Sequence, residues 1–220
     1  MPLIRNEIQT WIFDLDNTLY PASSDLFPQI SARMGQFIGR RFDLDPEAAR
    51  ALQKQLFRRH GTTLRGLMVE HGVDPHEFMD YVHDIDLAAL APALALDAAL
   101  AALPGRKLIH TNGSVAHAER VLAWLGLAAH FEGVFDIVAA EFVPKPEPAG
   151  YAALLRRYGI EPARAAMVED MAVNLKPAAE LGMLTLWVRT ANDWAVEGSV
   201  ESWVHHHTED LAGWLAAPAG

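Results

Sequence analysis

Asp14 and Asp16, in the stretch WIFDLDNTLY over residues 11–20, are the first residues whose types and spacing suit chemistry. Side chains alternate along a strand, so two acids separated by one residue share a face, where like charges repel unless a cation or a shared proton stands between them. Alone, a D-x-D pair serves a turn or a cap more often than catalysis. Its place directly after the apolar run WIF favours chemistry, and Asn17 and Thr18 can hold the turn that follows through side-chain to backbone hydrogen bonds.

Three further stretches carry comparable groups. In KLIHTNGS, residues 107–114, a buried-type strand leads into Thr111, Asn112 and Gly113 at a helix start. A hydroxyl with free backbone N–H groups there makes an anion site, although the same residue types also make a plain N-cap. In VPKPEP, residues 143–148, Lys145 is one of four lysines in the chain. Its flanking prolines stiffen the loop and reduce the entropy lost on fixing a cation, and the alternative is a surface lysine in a rigid turn. In AAMVEDMAVNLKPAAELGM, residues 165–183, a strand ends in Glu169 and Asp170; Asn174 is the expected cap of the next helix and Gly182 its end. These acids either complement a helix dipole or supply the hard oxygen ligands that Mg²⁺ requires. Taken together, the four stretches fit a Mg²⁺ held by Asp14, the backbone carbonyl of Asp16, and Asp170, with Glu169 nearby or ligating through water. The cation would relieve the repulsion and accept a phosphate oxygen, leaving Asp16 to carry a proton.

Elements must position these groups. Strands are expected at Trp11 to Phe13, Lys107 to His110, Val134 to Val138, Ala165 to Val168 and Leu184 to Val188, with helical periodicity between them, as in the run Val115, Ala118, Val121, Leu122 and Leu125 that stops near Gly126. Residues 21–95 break this alternation: they show helical patterns without a convincing strand, such as PEAARALQKQLFRRH with Ala49, Leu52 and Leu56 along one stripe. The expectation is an α/β fold, a Rossmann-like parallel-sheet core of residues 1–20 and 96–220, with a helical cap of residues 21–95 inserted after the first strand. Such sheets bind ligands at the carboxyl ends of their strands, where Asp14, Thr111 and Asp170 fall, with Lys145 somewhat beyond the third.

Composition excludes several classes. With 220 residues, 51% of them hydrophobic, the chain can bury a real core. A formal charge of −10 disfavours a nucleic-acid polymer or an anionic membrane as partner. The basic residues between Arg33 and Arg65 are interspersed with acids and read as a solvated helical surface. No cysteine is present, no apolar run approaches the roughly 18 residues of a membrane span, and the N-terminus lacks a secretory h-region, so the expected place is the cytoplasm.

FDLDNTLY, HTNG, VPKPEP and VEDMAVNLKPAAELGM, in that order, resemble the four motifs of the haloacid dehalogenase (HAD) superfamily, with the helical insert where a type 1 cap sits. The resemblance implies that Asp14 attacks phosphorus to form an aspartyl-phosphate while Asp16 protonates the leaving alkoxide and later deprotonates water. Thr111 and the amides of Asn112 and Gly113 would bind phosphoryl oxygens, Lys145 would neutralise charge, and Mg²⁺ would be the cofactor. The dehalogenases of the superfamily resemble one another in a non-acidic residue where this chain has Asp16, and they use no Mg²⁺, so the likeness is to a phosphatase. A phosphonatase would need a cap lysine, for which only Lys54 is on offer; a phosphomutase shares every core residue.

HGTTLRGLMVEHGVD, residues 60–74, is similar to the pyrimidine 5'-nucleotidase branch, which favours a Tyr-Gly-Thr-Thr-Leu-x-Gly-Leu string; here His60 stands at the tyrosine position. The implied substrate is a small phosphomonoester, a nucleoside 5'-monophosphate with UMP or CMP first, and Thr62, Thr63 and Arg65 are candidate contacts. Thr62 serves equally as a helix cap, and Arg65 as a solvated side chain. Phosphatases of sugar phosphates or phosphoglycolate, and a noncatalytic phosphate-binding protein, are the rival readings. His205, His206 and His207 are expected as an exposed strand end before a helix capped by Thr208, and His117 as structural.

Overall fold

A short strand, β1 (Thr10–Phe13), stands at the middle of the sheet because every one of its residues is apolar or satisfied within the interior. The structure is a computed structural model that describes residues 7–190, 196–197 and 201–218. After β1 come four helices without a strand: α1 (Leu26–Phe42), α2 (Pro46–His60), α3 (Thr63–His71) and α4 (Pro75–Val82). The chain then returns through α5 (Leu94–Ala102) to β2 (Arg106–His110), α6 (Val115–Leu125) and β3 (Gly133–Phe135). It continues with α7 (Pro148–Tyr158), β4 (Ala165–Glu169), α8 (Lys176–Glu180), β5 (Leu184–Val188), β6 (His206–Thr208) and α9 (Leu211–Ala216).

The strands form one parallel sheet in the order β3-β2-β1-β4-β5-β6. Phe13, the last residue of β1, is level with Ile109 of β2 and Val168 of β4. Strand order reverses between β1 and β4, and that is where a crevice opens at the carboxyl edge. Alternate residues feed two apolar layers. Trp11, Phe13, Ile109 and Val168 face the side covered by α5, α6 and α9, and this layer runs on without a break into α1–α4; Ile12, Leu108 and Met167 face α7 and α8. Burying each large side chain of this kind contributes about 1.5–3 kcal/mol.

Local chemistry sets the helix ends. The Asp45 carboxylate accepts from the Ala48 amide at 2.9 Å ahead of Pro46, Asp74 accepts from His76 and Glu77, and Gly126 closes α6 with φ 77°, a conformation costly for a residue with a Cβ. Gly66 marks a close approach: a Cβ there would lie 2.7 Å from Leu56 Cβ, so its absence lets α3 lie against α2.

The architecture is the α/β parallel sheet with inserted helices that the sequence predicts, with four local differences. The third strand ends at Phe135 instead of Val138, because the Asp136 carboxylate accepts from the amides of Val115 and Ala139 and turns the chain. Asn174 does not cap α8; it lies in a 3-10 turn over Ala172–Leu175 and its amide turns inward. The histidine tract pairs as a sixth, parallel edge strand alongside Leu186–Val188. The helix after it is capped by Asp210, which accepts from the Gly213 amide, and the Thr208 hydroxyl bonds the Asp210 backbone.

Candidate active site

Asp14 follows β1 directly, and its amide donates to the Val168 carbonyl at 2.9 Å, which carries the sheet register into the site. Its two carboxylate oxygens have different partners: Oδ1 accepts from Lys145 Nζ at 2.6 Å and Oδ2 from the Thr18 hydroxyl at 3.2 Å. Asn17, at φ 62°, turns the chain so that Thr18 comes back over Asp14. The threonine therefore bonds the acid's side chain instead of the backbone that the sequence suggests.

Lys145 uses all three of its N–H donors, on Asp14 Oδ1, on Glu169 Oε2 at 2.6 Å and on the His110 carbonyl at 2.9 Å. Its loop is tied down by Asn112, whose Oδ1 accepts from the Lys145 amide at 2.8 Å and whose Nδ2 donates to the Lys145 carbonyl at 3.4 Å. Glu169 is fixed in turn, since its Oε1 accepts from Asn174 Nδ2 and the Met171 amide. Asn174 therefore orients the acid that orients the lysine, a role the capping expectation missed.

Asp14, Glu169 and Asp170, all buried, bring carboxylate oxygens within 4.8 Å of one another. One ammonium among three carboxylates leaves a net −2 when all are ionised. The electrostatics follow: burial, then Glu169, pushes Asp14 up to about 7 in spite of Lys145, and burial with Glu169 and Asp14 pushes Asp170 to about 10. Burial weakens the Lys145 ammonium, but Asp14 and Glu169 outweigh it and hold it well above its ordinary value. Asp170 Oδ2 is buried with no hydrogen-bond partner. An orphaned oxygen in an over-acidic cluster of hard ligands is the donor set that fits a divalent cation of the Mg²⁺ kind.

The Asp16 carboxylate lies outside that cluster. Its Oδ1 accepts from the Tyr20 hydroxyl at 2.5 Å and from His117 Nε2 at 2.9 Å. Burial raises its pKa, but His117 and Tyr20 outweigh that and bring it to about 2. His117, expected as purely structural, thus contacts a candidate catalytic carboxylate. Thr18 and Tyr20 each stand four residues after the acid they bond, and that repeated spacing was the signal that could have found them.

Thr111 follows β2, with its amide on the Phe135 carbonyl and its Oγ1 accepting from the Gly113 amide at 2.9 Å. Among the candidate cap contacts, Thr62 caps α3 by accepting from the Arg65 amide, and Thr63 is buried. Arg65 reaches toward Glu147, 4.0 Å away, across a cleft of about 230 Å³ lined by His60, Gly61, Pro144 and Lys145. His60, where the resemblance has tyrosine, is paired with Glu70 at 2.6 Å. A larger groove of about 750 Å³ runs between α1 and α2 from Asn17 to Leu44, with Arg40 and Arg50 on its wall.

Comparison with known proteins agrees with this geometry. Over 193 residues the chain is 26% identical to Phosphate metabolism protein 8 of Saccharomyces cerevisiae, covering 80% of this chain and 60% of that protein's length. A HAD phosphatase structure from Thermococcus onnurineus superposes with a TM-score of 0.61 at 17% identity, covering 94% of this chain and 96% of that one. A 2-haloacid dehalogenase from Pseudomonas syringae superposes about as well, at 0.58 and 18% identity, covering 94% and 96%. These likenesses show a shared fold, which in those proteins carries two different chemistries. The family model of haloacid dehalogenase-like hydrolases matches residues 8–182, and the chain belongs to that family of hydrolases.

Proposed function

We propose that the chain is a Mg²⁺-dependent phosphomonoester hydrolase that works through an aspartyl-phosphate, with nucleoside 5'-monophosphates, UMP and CMP first, as its substrates. The observation that carries the reading is the over-acidic cluster of Asp14, Glu169 and Asp170 beside a second aspartate, Asp16, that is bonded outside it. A dehalogenase nucleophile needs neither the spare acids nor a proton carrier two residues on. The likeness to a yeast protein of phosphate metabolism points the same way.

Asp14, Asp170 and the backbone carbonyl of Asp16 would hold the cation. Glu169, with Oε2 on Lys145 and Oε1 on Asn174, would act chiefly by fixing Lys145 or through water. When bound, Mg²⁺ supplies positive charge that ionises Asp14 and draws electron density from the phosphoryl oxygens. The Asp14 carboxylate forms a bond to phosphorus as the ester P–O bond breaks. The departing electron pair stays on the leaving oxygen, which takes a proton from Asp16; because His117 and Tyr20 bring that acid to about 2 in the free site, the proton is one it must take up with the substrate. The attacking water then gives a proton of its own to Asp16 as its oxygen bonds to phosphorus and the Asp14–phosphorus bond breaks, releasing Asp14 and inorganic phosphate. Lys145 stabilises charge on Asp14 and the transferring group, and Thr111 with the amides of Asn112 and Gly113 orients phosphoryl oxygens.

Residues 21–95 would act as the cap that chooses the leaving group, with Thr63 as packing and Arg65 as a contact across the cleft above Lys145. The absence of cysteine accords with a reducing cytoplasm. Phosphate release with Mg²⁺ from UMP, CMP, AMP, GMP, phosphoglycolate and sugar phosphates, with Asp14→Asn as blank, tests the proposal. Preference for UMP and CMP supports it whole, broad or sugar-directed activity removes the nucleotide part, and no release from any ester overturns the hydrolase reading.

A further inference from the structure

Asp16 is gripped by Tyr20, the last residue of the first motif, and by His117, which lies in none of the four. Tyr20 and His117 both donate to Oδ1, and no hydrogen bond reaches Oδ2 among the described residues, on a side chain that remains 20% exposed. A carboxylate only accepts, so His117 Nε2 carries the proton in this bond. The ring of His117 has no solvent exposure, and its other nitrogen, Nδ1, has no partner. A pocket built to satisfy a buried histidine would not leave one nitrogen orphaned, and an apolar side chain of similar shape would have avoided that cost. The single bond the ring makes, to a residue 101 positions away, is what the site gains from it.

A second histidine fixes the first. His83, at the end of α4, stacks on His117 with centroids 4.4 Å apart and planes 12° from parallel, and its Nδ1 lies 3.1 Å from the Ser114 hydroxyl. Arg120, one turn beyond His117 on α6, donates to the carbonyls of His83 and Ile85 and pins the chain where it leaves α4. The imidazole plane is thus set from the inserted helices and from the sheet side at once.

We infer that His117 is a positioning residue for Asp16: with Tyr20 it occupies Oδ1 and turns Oδ2 toward the leaving group. The inference rests on the reading of Asp16 as the proton carrier. The test compares kcat/KM for p-nitrophenyl phosphate, whose leaving group needs little protonation, with that for UMP or whichever alkyl phosphate is turned over best. Each ratio is taken within one variant, so partial loss of folded protein cancels. In His117→Leu the alkyl ester should lose about tenfold to a hundredfold, a fraction of the roughly 10²–10⁴ that general acid–base catalysis supplies, while the aryl ester loses far less. KM for the alkyl ester should stay within about threefold, since binding groups are untouched. His117→Gln, which can still donate near the Nε2 position, should recover most of the loss. If His117→Leu does not fold, Tyr20→Phe is read by the same ratio. Parallel loss on both esters, or a rise in alkyl turnover, overturns the inference. Asp16→Asn separates the two levels: if it leaves the ratio unchanged, the proton-carrier reading fails; if it shifts the ratio and His117→Leu does not, only the positioning role fails.

Discussion

Asp14 illustrates how a site residue works against the stability of its own fold. In free solution its carboxyl titrates at 3.8, but in the buried cluster it is pushed to about 7. At pH 8 without a cation, the fold therefore carries an ionised group that it disfavours. Asp14→Asn keeps an acceptor for Lys145 and removes that charge. We expect it to abolish phosphate release while raising the melting temperature in EDTA at pH 8, by about 2–4 °C for each kcal/mol regained. At pH 4, below the titration of wild-type Asp14, the gain should vanish. Retained turnover would sink the nucleophile assignment, and a lower melting temperature at pH 8 would sink the account of the cluster. Asp14, Thr111 and Asp170 could be picked out as candidates because each directly follows an apolar strand, and Lys145 because prolines flank it. Thr18, Tyr20, Asn174 and His117 were not, since what defines them is the direction of a side chain across the fold.

At the scale of elements, the packing of α3 on α2 depends on one missing atom. A Cβ at Gly66 would meet Leu56 Cβ at 2.7 Å and Leu56 Cδ2 at 2.9 Å, both within a packed helix interface. Gly66→Ala gains helix propensity of about 1 kcal/mol, but overpacking of this kind typically costs about 1–3 kcal/mol and displaces backbone. We expect a net loss of stability in urea unfolding, with reduced kcat/KM if α3 carries Arg65 away from the Lys145 loop; unchanged stability would mean the helices separate freely. Helices with paired signals, such as Asp45 with Pro46 or Ser114 with Gly126, were readable from sequence alone. The end of β3 was not, because Asp136 wins that decision by accepting from the first amide of α6, 21 residues away; the histidine tract read as an exposed strand end, but not which strand it would pair with.

For the molecule as a whole, cation binding, protonation and folding should be linked. Asp14 at about 7 and Asp170 at about 10 both bind protons more tightly folded than unfolded. Their contribution to stability is therefore full below about 4 and declines as pH rises through 7 toward 10 in the metal-free protein. A divalent cation competes with those protons for the same oxygens. The stabilisation by Mg²⁺ in a thermal shift titration should thus be small at pH 5 and grow steadily to pH 9. A shift independent of pH would place the cation elsewhere. No helix among the described residues is long and apolar enough to cross a membrane.

The strand order has a consequence for synthesis. β1 is made first yet finds its two neighbours in segments reaching to His110 and Glu169. Until β4 has left the ribosome, one edge of an almost wholly apolar strand is without its partner, and Asp14 lacks Glu169 and Asp170, the acids that help define its environment. Late, long-range pairing of this kind slows folding and prolongs exposure of a sticky edge. The nascent chain must therefore hold β1 out of reach of other chains until β4 is available, a task for which the four helices that follow β1 are well placed.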